Sequence, residues 1–166
     1  MGGFLIYNWP WKIMQIHIVS VGKKNSKELA VLIQKYQSRL AKSYLVQWDI
    51  IKHSPLPREL AIDKESSDIL NKIPPKAAVW LLDESGAQLN NKQLAHKLTE
   101  TSALKENQLY IIIGGAYGVN ESVKNRVDFI WSLSKLFVPH QMVRLLLIEQ
   151  IYRSTEISKG SSYHHT

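Results

Sequence analysis

Residues 110–119 read YIIIGGAYGV, an apolar run that ends in two glycines, with a third glycine three positions further on. The run 109–113 is typical of a strand buried on both faces of a parallel sheet. Consecutive glycines after such a strand either make a tight strand-to-helix turn or leave room for a large ligand to lie against the chain. The segment is not a P-loop, because no Gly-Lys-Ser or Gly-Lys-Thr follows, and its G-G-x-x-G spacing differs from the dinucleotide fingerprint.

Strand patterns and helix patterns alternate on both sides of this segment. Such alternation predicts an α/β fold in which a mostly parallel sheet is flanked by helices. Ligands of such sheets bind beyond the carboxyl ends of the strands, so LLDESG (81–86) and IIIGGAYG (111–118) are candidate binding segments. The predicted strands are 13–21, 44–51, 77–83, 109–113 and about 129–133; the predicted helices are 26–42, a polar segment between the loop 53–60 and Pro74, 90–104, a short one within 120–130, and 140–158.

The first and last predicted helices differ in how their apolar residues are arranged. Helix 26–42 has Ser26 as a candidate N-cap and one apolar face, made of Leu29, Leu32, Ile33, Tyr36 and Leu40. Helix 140–158 is apolar nearly all round, which is typical of a buried or interface helix. Arg144 falls inside its apolar arc, and an unpaired buried guanidinium is very costly. Arg144 therefore either pairs with a carboxylate across a subunit boundary or points into a ligand or phosphate site, and both alternatives favour a homodimer.

Composition excludes several classes of protein and site. The chain has 166 residues, the size of one domain, and 45% of them are hydrophobic, enough for a conventional core. It has no cysteine, which excludes disulfides, thiolate metal sites and a cysteine nucleophile, and suits a reducing cytoplasm. No stretch approaches the ~18 consecutive apolar residues of a transmembrane helix. The start, MGGFLIYNWPWK, lacks the basic region and the cleavage site of a signal peptide.

The net charge of +7 is concentrated in the first third of the chain. Residues 1–58 hold nine Lys or Arg and two acidic residues, whereas residues 59–166 hold twelve of each. Such asymmetry is typical of a surface that binds nucleic acid, although a basic surface with no partner gives the same count.

The histidines give no pattern of a metal site or of a catalytic triad. None of the six belongs to an H-E-x-x-H motif, and no carboxylate pairs with two of them at ligand spacing. A Ser-His-Asp triad has no support either, because the sequence contains no G-x-S-x-G elbow. We therefore predict no metal.

Four segments together resemble one known family. They are LLDESG (81–86), IIIGGAYG (111–118), WSLSKLFVPHQMVRLLLIEQIYR (131–153) and the closing YHH (163–165). From about Met14 to His164 the chain is similar to the SPOUT superfamily of RNA methyltransferases, and within it to the small bacterial RlmH type, which methylates N3 of a pseudouridine in 23S ribosomal RNA. The resemblance implies a single SPOUT methyltransferase domain over residues 14–166 with a C-terminal trefoil knot, after an N-terminal extension of residues 1–13.

The same resemblance implies a cofactor, S-adenosylmethionine, and partners. Its apolar loop would enclose the adenine while backbone amides and carbonyls contact the ring edge. The implied partners are a second copy, which places the C-terminal tail of one subunit near the cofactor of the other, and 23S rRNA in the assembled ribosome; no membrane is implied. The implied cofactor-binding residues are Leu82 before the Asp-Glu-Ser-Gly turn, Gly114, and the loop Leu133, Ser134, Lys135, Leu136, Phe137 and Val138.

Catalytic and RNA-binding roles are also implied by family positions. Guanidinium and imidazole groups suit phosphate, and aromatic rings suit stacking on an extruded base. The two candidate general bases are His140 and His164. The implied catalytic residues are His140, Arg144 and His164; the implied RNA contacts are Arg144, Tyr152, Arg153, Tyr163 and His164.

The sequence departs from the family pattern in its glycine loop. The family usually reads G-G-P-E-G there, but this chain has Ala116 and Tyr117 in place of Pro and Glu. If that glutamate orients the substrate or tunes its imide proton, this chain supplies the function differently or lacks it. Two alternatives therefore stay open: a catalytically impaired knotted RNA-binding protein, and a SPOUT enzyme that methylates tRNA or a ribose 2′-hydroxyl.

Overall fold

The computed structural model describes residues 13–104 and 107–160. The predicted extension 1–13 lies outside this range apart from Ile13, and so does the tail after Gly160. In the described chain, strands and helices alternate in the order β1 (Met14–Val21), α1 (Lys27–Leu40), β2 (Tyr44–Ile51), α2 (Arg58–Leu70), β3 (Ala78–Gln88), α3 (Asn91–Leu104), β4 (Gln108–Ile113), α4 (Glu121–Arg126), β5 (Phe129–Ser132) and α5 (His140–Ser158).

These strands lie parallel in one sheet with the order β2-β1-β4-β3-β5. Ile18 of β1 lies opposite Trp48 of β2 on one side and Ile111 of β4 on the other. Ile18 packs in the core with residues of α1, α3 and α5, whereas the neighbouring Val19 packs with residues of α2 and α4. Both faces are covered by helices, which explains why the central strands are continuous apolar runs. The predicted α/β fold with a mostly parallel sheet flanked by helices is confirmed.

The structure confirms the predicted start of α1 and corrects its face. Ser26 caps the helix, because its Oγ accepts a hydrogen bond from the Leu29 backbone N–H at 3.4 Å. Ile33 and Leu40 are buried, but Leu32 is 42% exposed, so the predicted apolar face was too wide. Only the narrower stripe of α1 contacts the sheet and α5.

Helix α2 begins earlier than predicted. It starts at Arg58, inside the segment 53–60 that was expected to be a loop. Pro57 occupies the N-cap position with φ of −52°, close to the value that its ring enforces. The proline therefore ends the loop and starts the helix, where the sequence pattern alone suggested a longer break.

Strand β3 also differs from the prediction, since it continues past Leu82 to Gln88. Its pairing with β5 shifts register between Leu82 and Ala87, so Asp83–Gly86 form an irregularity within the strand where we predicted an exit turn. The Asp83 carboxylate accepts a hydrogen bond from the Ser85 backbone N–H at 2.9 Å and holds this local bend. A Cβ atom at Gly86 would lie 2.7 Å from the Ile130 carbonyl oxygen, so only glycine fits so close to β5.

Helix α5 packs against α1 and α3 on one face of the sheet. Leu147, Ile148 and Ile151 are completely buried there, whereas Met142 is 39% exposed. In the part of the chain that the structure describes, no helix combines the length and the hydropathy required to cross a bilayer. The trefoil knot stays a prediction.

Candidate functional site

The bend in β3, the carboxyl end of β4 and the segment after β5 surround a cavity of about 510 Å³, the first cavity. Three pieces of chain that are distant in sequence meet in its wall: residues 81–84, the glycine loop 113–119, and the loop 133–138. Parallel strands bring their carboxyl ends to one edge of a sheet, which explains why these pieces converge. The predicted cofactor residues in this wall are Leu82, Gly114, Leu133, Ser134, Leu136, Phe137 and Val138.

Lys135 is not part of that wall. Its ammonium donates hydrogen bonds to the backbone oxygens of Glu84, at 2.6 Å, and Gly86, at 3.3 Å. Lys135 therefore ties the loop 133–138 to the bend in β3. The structure thus gives this residue an internal role in joining two of the three pieces, and its predicted contact with the cofactor stays a prediction.

The first cavity suits a ligand with a flat apolar part and polar edges. Its volume lies within the roughly 300–1,000 Å³ typical of small-molecule sites. Leu136 and Phe137 are 77% and 90% exposed at its wall, so apolar surface is available to a ligand. Ser134 shapes the loop, because its Oγ accepts a hydrogen bond from the Leu136 N–H at 2.9 Å. Among the described residues, no group of three or more His, Asp or Glu side chains is arranged to hold a metal ion.

The glycine loop is required by the packing of the protein itself. A Cβ atom at Gly114 would lie 3.1 Å from Val119 Cγ1, and one at Gly115 would collide with Glu65 Oε2. Gly118 donates its N–H to the Gly115 oxygen at 3.0 Å and has φ of +79°, which favours glycine. The tight-turn explanation of these glycines therefore holds, and the turn also forms one wall of the first cavity.

A second cavity of about 530 Å³ lies beside the first and shares Gly115, Ala116 and His140 with it. Its charged and titratable lining residues are all Lys, Arg or His, whereas the wall of the first cavity also carries the acidic Asp83 and Glu84. A basic, partly enclosed space beside a ligand cavity suits an anionic substrate. The basic residues that line the second cavity are Lys23, His53, His140 and Arg144.

His140 lies at the start of α5, between the two cavities. Its Nδ1 atom is buried and has no hydrogen-bond partner among the described residues. Burial lowers the pKa of His140, the nearby Arg144 and His53 lower it further, and Glu65 opposes the shift. His140 is therefore held neutral and is a weaker proton acceptor than an exposed imidazole.

Arg144 is fully buried, and two of its three guanidinium nitrogens donate to neutral oxygens. Its Nε donates to Ser20 Oγ at 2.8 Å, and its Nη1 donates to the Lys23 carbonyl at 2.7 Å and to Asn25 Oδ1 at 2.9 Å. Its Nη2 has no partner among the described residues, and burial lowers the pKa of the group. These partners belong to the same chain and none is a carboxylate, so Arg144 fastens α5 to the segment after β1. Its predicted roles in catalysis and RNA binding stay predictions.

The other predicted RNA contacts lie apart from both cavities or outside the described residues. The Tyr152 ring packs 5.7 Å from the Tyr36 ring, with the Arg39 guanidinium 5.6 Å above it. Arg153 pairs with Glu149 one turn earlier on α5, at 2.7 Å. Neither Tyr152 nor Arg153 lines a cavity. Tyr163 and His164 lie outside the described residues.

The structure places His53 and Glu65, for which no sequence motif predicted a role, beside the glycine loop. His53 Nδ1 lies 2.7 Å from Glu65 Oε1, and the same oxygen accepts the Ser54 backbone N–H at 2.8 Å. The Glu65 side chain is only 2% exposed, whereas that of His53 is 45% exposed. One signal was present in the sequence: His53 lies two residues after the end of the predicted strand 44–51, at the edge of the sheet where ligands bind.

Comparisons with known proteins agree over nearly the whole chain. A family model described as "Predicted SPOUT methyltransferase" matches residues 14–164. A protein of Desulfitobacterium hafniense named "Ribosomal RNA large subunit methyltransferase H" is 35% identical over 159 residues, which cover 92% of this chain and 99% of that protein. Proteins with the same name from Carboxydothermus hydrogenoformans and Clostridioides difficile are 37% and 35% identical over 158 residues, each covering 91% of this chain and 99% of the relative.

Proposed function

Because the chain belongs to the SPOUT methyltransferase family, we propose that it transfers a methyl group from S-adenosylmethionine to N3 of a pseudouridine in 23S ribosomal RNA. The family expected from the sequence motifs is confirmed. One observation carries the rest of the proposal: the pieces of chain around Leu82, Gly114 and residues 133–138, expected to hold the cofactor, line one cavity. The names of the relatives supply the ribosomal RNA substrate.

The residues of the first cavity have separate tasks in this proposal. When bound, S-adenosylmethionine supplies an activated methyl group on a sulfonium. Leu82, Leu133 and Val138 would pack against the adenosyl part, and the turn at Gly114 would let the backbone approach it. Holding the substrate nitrogen in line with the methyl group would account for most of the lowering of the activation free energy, on the order of several kcal/mol.

The second cavity would hold the substrate nucleotide. It adjoins the first cavity through Gly115, Ala116 and His140, and its basic side chains suit the phosphates that flank an extruded base. Tyr117 is 46% exposed at the glycine loop and offers a ring for stacking on a base. The basic first third of the chain would contribute further phosphate contacts in the cytoplasm, where ribosomes are assembled.

The proposed assembly is a homodimer. Leu136 and Phe137 are adjacent, large apolar residues exposed beside the first cavity. Exposed apolar groups that lie close together are typical of protein interfaces. A second copy would cover this surface and bring its own C-terminal tail, with Tyr163 and His164, toward the site. Sedimentation equilibrium tests this directly, and a monomer at all concentrations would remove the assembly from the proposal.

Methyl mapping tests the proposed function. Ribosomes, free 23S rRNA and tRNA from a strain that lacks the corresponding gene are incubated with the protein and methyl-labelled S-adenosylmethionine. The proposal expects label on N3 of one pseudouridine of 23S rRNA, most strongly in ribosomes. Label on tRNA or on a ribose 2′-hydroxyl would identify a different SPOUT activity. Cofactor binding without transfer to any RNA would favour the catalytically impaired alternative. That alternative arises because this chain has Ala116 and Tyr117 where the family usually has Pro and Glu.

A further inference from the structure

His53 and Glu65 form a hydrogen-bonded pair in which the donor and the acceptor can be assigned. Glu65 is buried, and its Oε1 lies 2.7 Å from His53 Nδ1 and 2.8 Å from the Ser54 nitrogen. An ionised carboxylate only accepts hydrogen bonds, so Nδ1 carries the hydrogen of this contact. In a neutral ring that leaves Nε2 as the atom that accepts a proton. A buried carboxylate therefore fixes the tautomer of a half-exposed imidazole.

The pair lies where a substrate nucleotide would meet the methyl donor. His53 lines the second cavity together with Gly115 and Ala116, and these two residues also line the first cavity. The Glu65 carboxylate packs directly against Gly115, where an added Cβ atom would overlap Oε2. The Tyr117 ring lies 6.4 Å from the His53 ring. The pair is thus held against the junction of the two cavities.

We infer that His53 is the proton acceptor for the substrate nitrogen and that Glu65 is the positioning residue that holds its tautomer. This inference rests on the proposed methyl transfer. The imide proton moves from N3 of the base to His53 Nε2, and the electron pair of N3 forms the new bond to the methyl carbon. The carbon–sulfur bond breaks and its electrons stay on sulfur, which becomes a neutral thioether. The half-exposed ring of His53 then returns the proton to water.

His53 suits this role better than His140 does. His140 has a lowered pKa because of its burial and its cationic neighbours, so it accepts a proton less readily. It also lacks a carboxylate partner among the hydrogen bonds of the described residues, whereas His53 has Glu65. Besides Glu65 and Tyr117, the charged and titratable groups that line the same cavity as His53 are Lys23, His140 and Arg144.

The decisive variant is His53→Gln, measured in single turnovers on 23S rRNA as a function of pH. We expect the rate at neutral pH to fall at least ~100-fold. The affinities for S-adenosylmethionine and RNA should stay within about twofold of the wild type, because the side chain acts on the proton and contributes little binding. The deficit should shrink at high pH, where the imide ionises without help. Added imidazole should restore part of the rate of His53→Ala.

Glu65→Gln provides a readout that does not depend on turnover. In ¹⁵N NMR spectra, the neutral ring of His53 should carry its hydrogen on Nδ1 in the wild type, and the tautomer should become mixed in Glu65→Gln. The matched control is His96→Gln, because His96 has a 75% exposed side chain on α3 and lines neither cavity. This control should leave the rate, the pH profile and the spectrum of His53 unchanged.

The possible failures can be told apart. A wild-type protein that methylates no RNA overturns both this inference and the proposed function. An active wild type whose rate is matched by His53→Gln across the pH range overturns only the role of His53. A neutral His53 ring that carries its hydrogen on Nε2 in the wild type also overturns it, whatever the turnover.

Discussion

The Glu65 carboxylate lies against the backbone of Gly115, so that a Cβ atom there would collide with Glu65 Oε2. This contact joins α2 to the glycine loop, and it explains the second glycine of that loop without any ligand. The first prediction concerns Gly115→Ala, which should push the carboxylate away. We expect a loss of about 1–3 kcal/mol in the free energy of unfolding, measured by urea denaturation.

The control for this prediction is a double-mutant cycle. Glu65→Ala removes the atom that clashes, so it should cost less in the Gly115→Ala background than in the wild type. The coupling between the two changes should exceed about 0.5 kcal/mol. Strictly additive costs would show that the two residues do not compete for the same space.

Arg144 should stabilise the fold itself. Arg144→Met keeps an apolar side chain of similar length but removes the hydrogen bonds to Ser20, Lys23 and Asn25. Because the variant leaves these three acceptors without their donor, and Ser20 is fully buried, the loss should be on the order of 2–4 kcal/mol. Thermal or urea unfolding measures it.

Arg153→Met is the comparison for this prediction. Arg153 pairs with Glu149 on the same helix at a partly exposed position, and such pairs contribute less than about 1 kcal/mol. Equal losses in free energy of unfolding for the two variants would contradict the role assigned to Arg144.

The basic first third should determine the salt dependence of RNA binding. Lys24 lies just before α1 and Lys27 at its start, both exposed, and Lys76 and Lys92 are also exposed in the second part of the chain. Changing Lys24 and Lys27 to Gln should reduce the slope of log affinity against log salt by up to about one unit for each lost phosphate contact. Filter binding at several salt concentrations measures the slope. The same change at Lys76 and Lys92 should leave it unaltered, and equal effects of the two pairs would remove the first third as the RNA-binding surface.

Stability should fall as the solution becomes acidic, because two histidines resist protonation in the folded state. Burial lowers the pKa of His17, with Asp49 opposing the shift, and burial also lowers that of His140, both from 6.5. The unfolded chain therefore binds protons first, so the stability present above pH 6.5 is lost as the pH falls toward the folded-state values. Each residue contributes a slope of at most about 1.4 kcal/mol per pH unit.

Urea denaturation between about pH 5 and 8 measures this slope. His17→Gln and His140→Gln should each make stability less dependent on pH in the acidic range. His96→Gln, at an exposed position on α3, is the control and should leave the slope unchanged. A slope that survives both of the first two changes would assign the acid sensitivity to other groups.

Most of the strands and helices could be predicted from the spacing of apolar residues, because each element depends on a continuous run of the sequence. Apolar runs such as residues 109–113 and the helical spacing of 140–158 located strands and helices within a few residues. Leu32 was misplaced because spacing shows which residues share a face but not how much of that face a neighbour covers. The continuation of β3 past Leu82 was missed because polar residues 83–86 resemble a turn, and only the pairing with β5 extends the strand.

The candidate site was predictable only in part, for a related reason. Motif residues around Leu82, Gly114 and 133–138 could be named from their resemblance to a family. The contact between His53 and Glu65 joins two segments with no shared motif, and the partners of Arg144 are a hydroxyl, an amide and a carbonyl that no spacing rule identifies. Such contacts depend on where loops meet in space.

The central claim is that the first cavity binds the methyl donor, and calorimetric titration of the protein with S-adenosylmethionine tests it most directly. Leu136 is 77% exposed in the wall of this cavity, whereas Val31 is 66% exposed on α1 and lines neither cavity. Leu136→Ser should weaken binding about tenfold by removing apolar contact with the donor, and Val31→Ser should leave the affinity unchanged. Equal affinities for these two variants, or no binding by the wild type, would contradict the account.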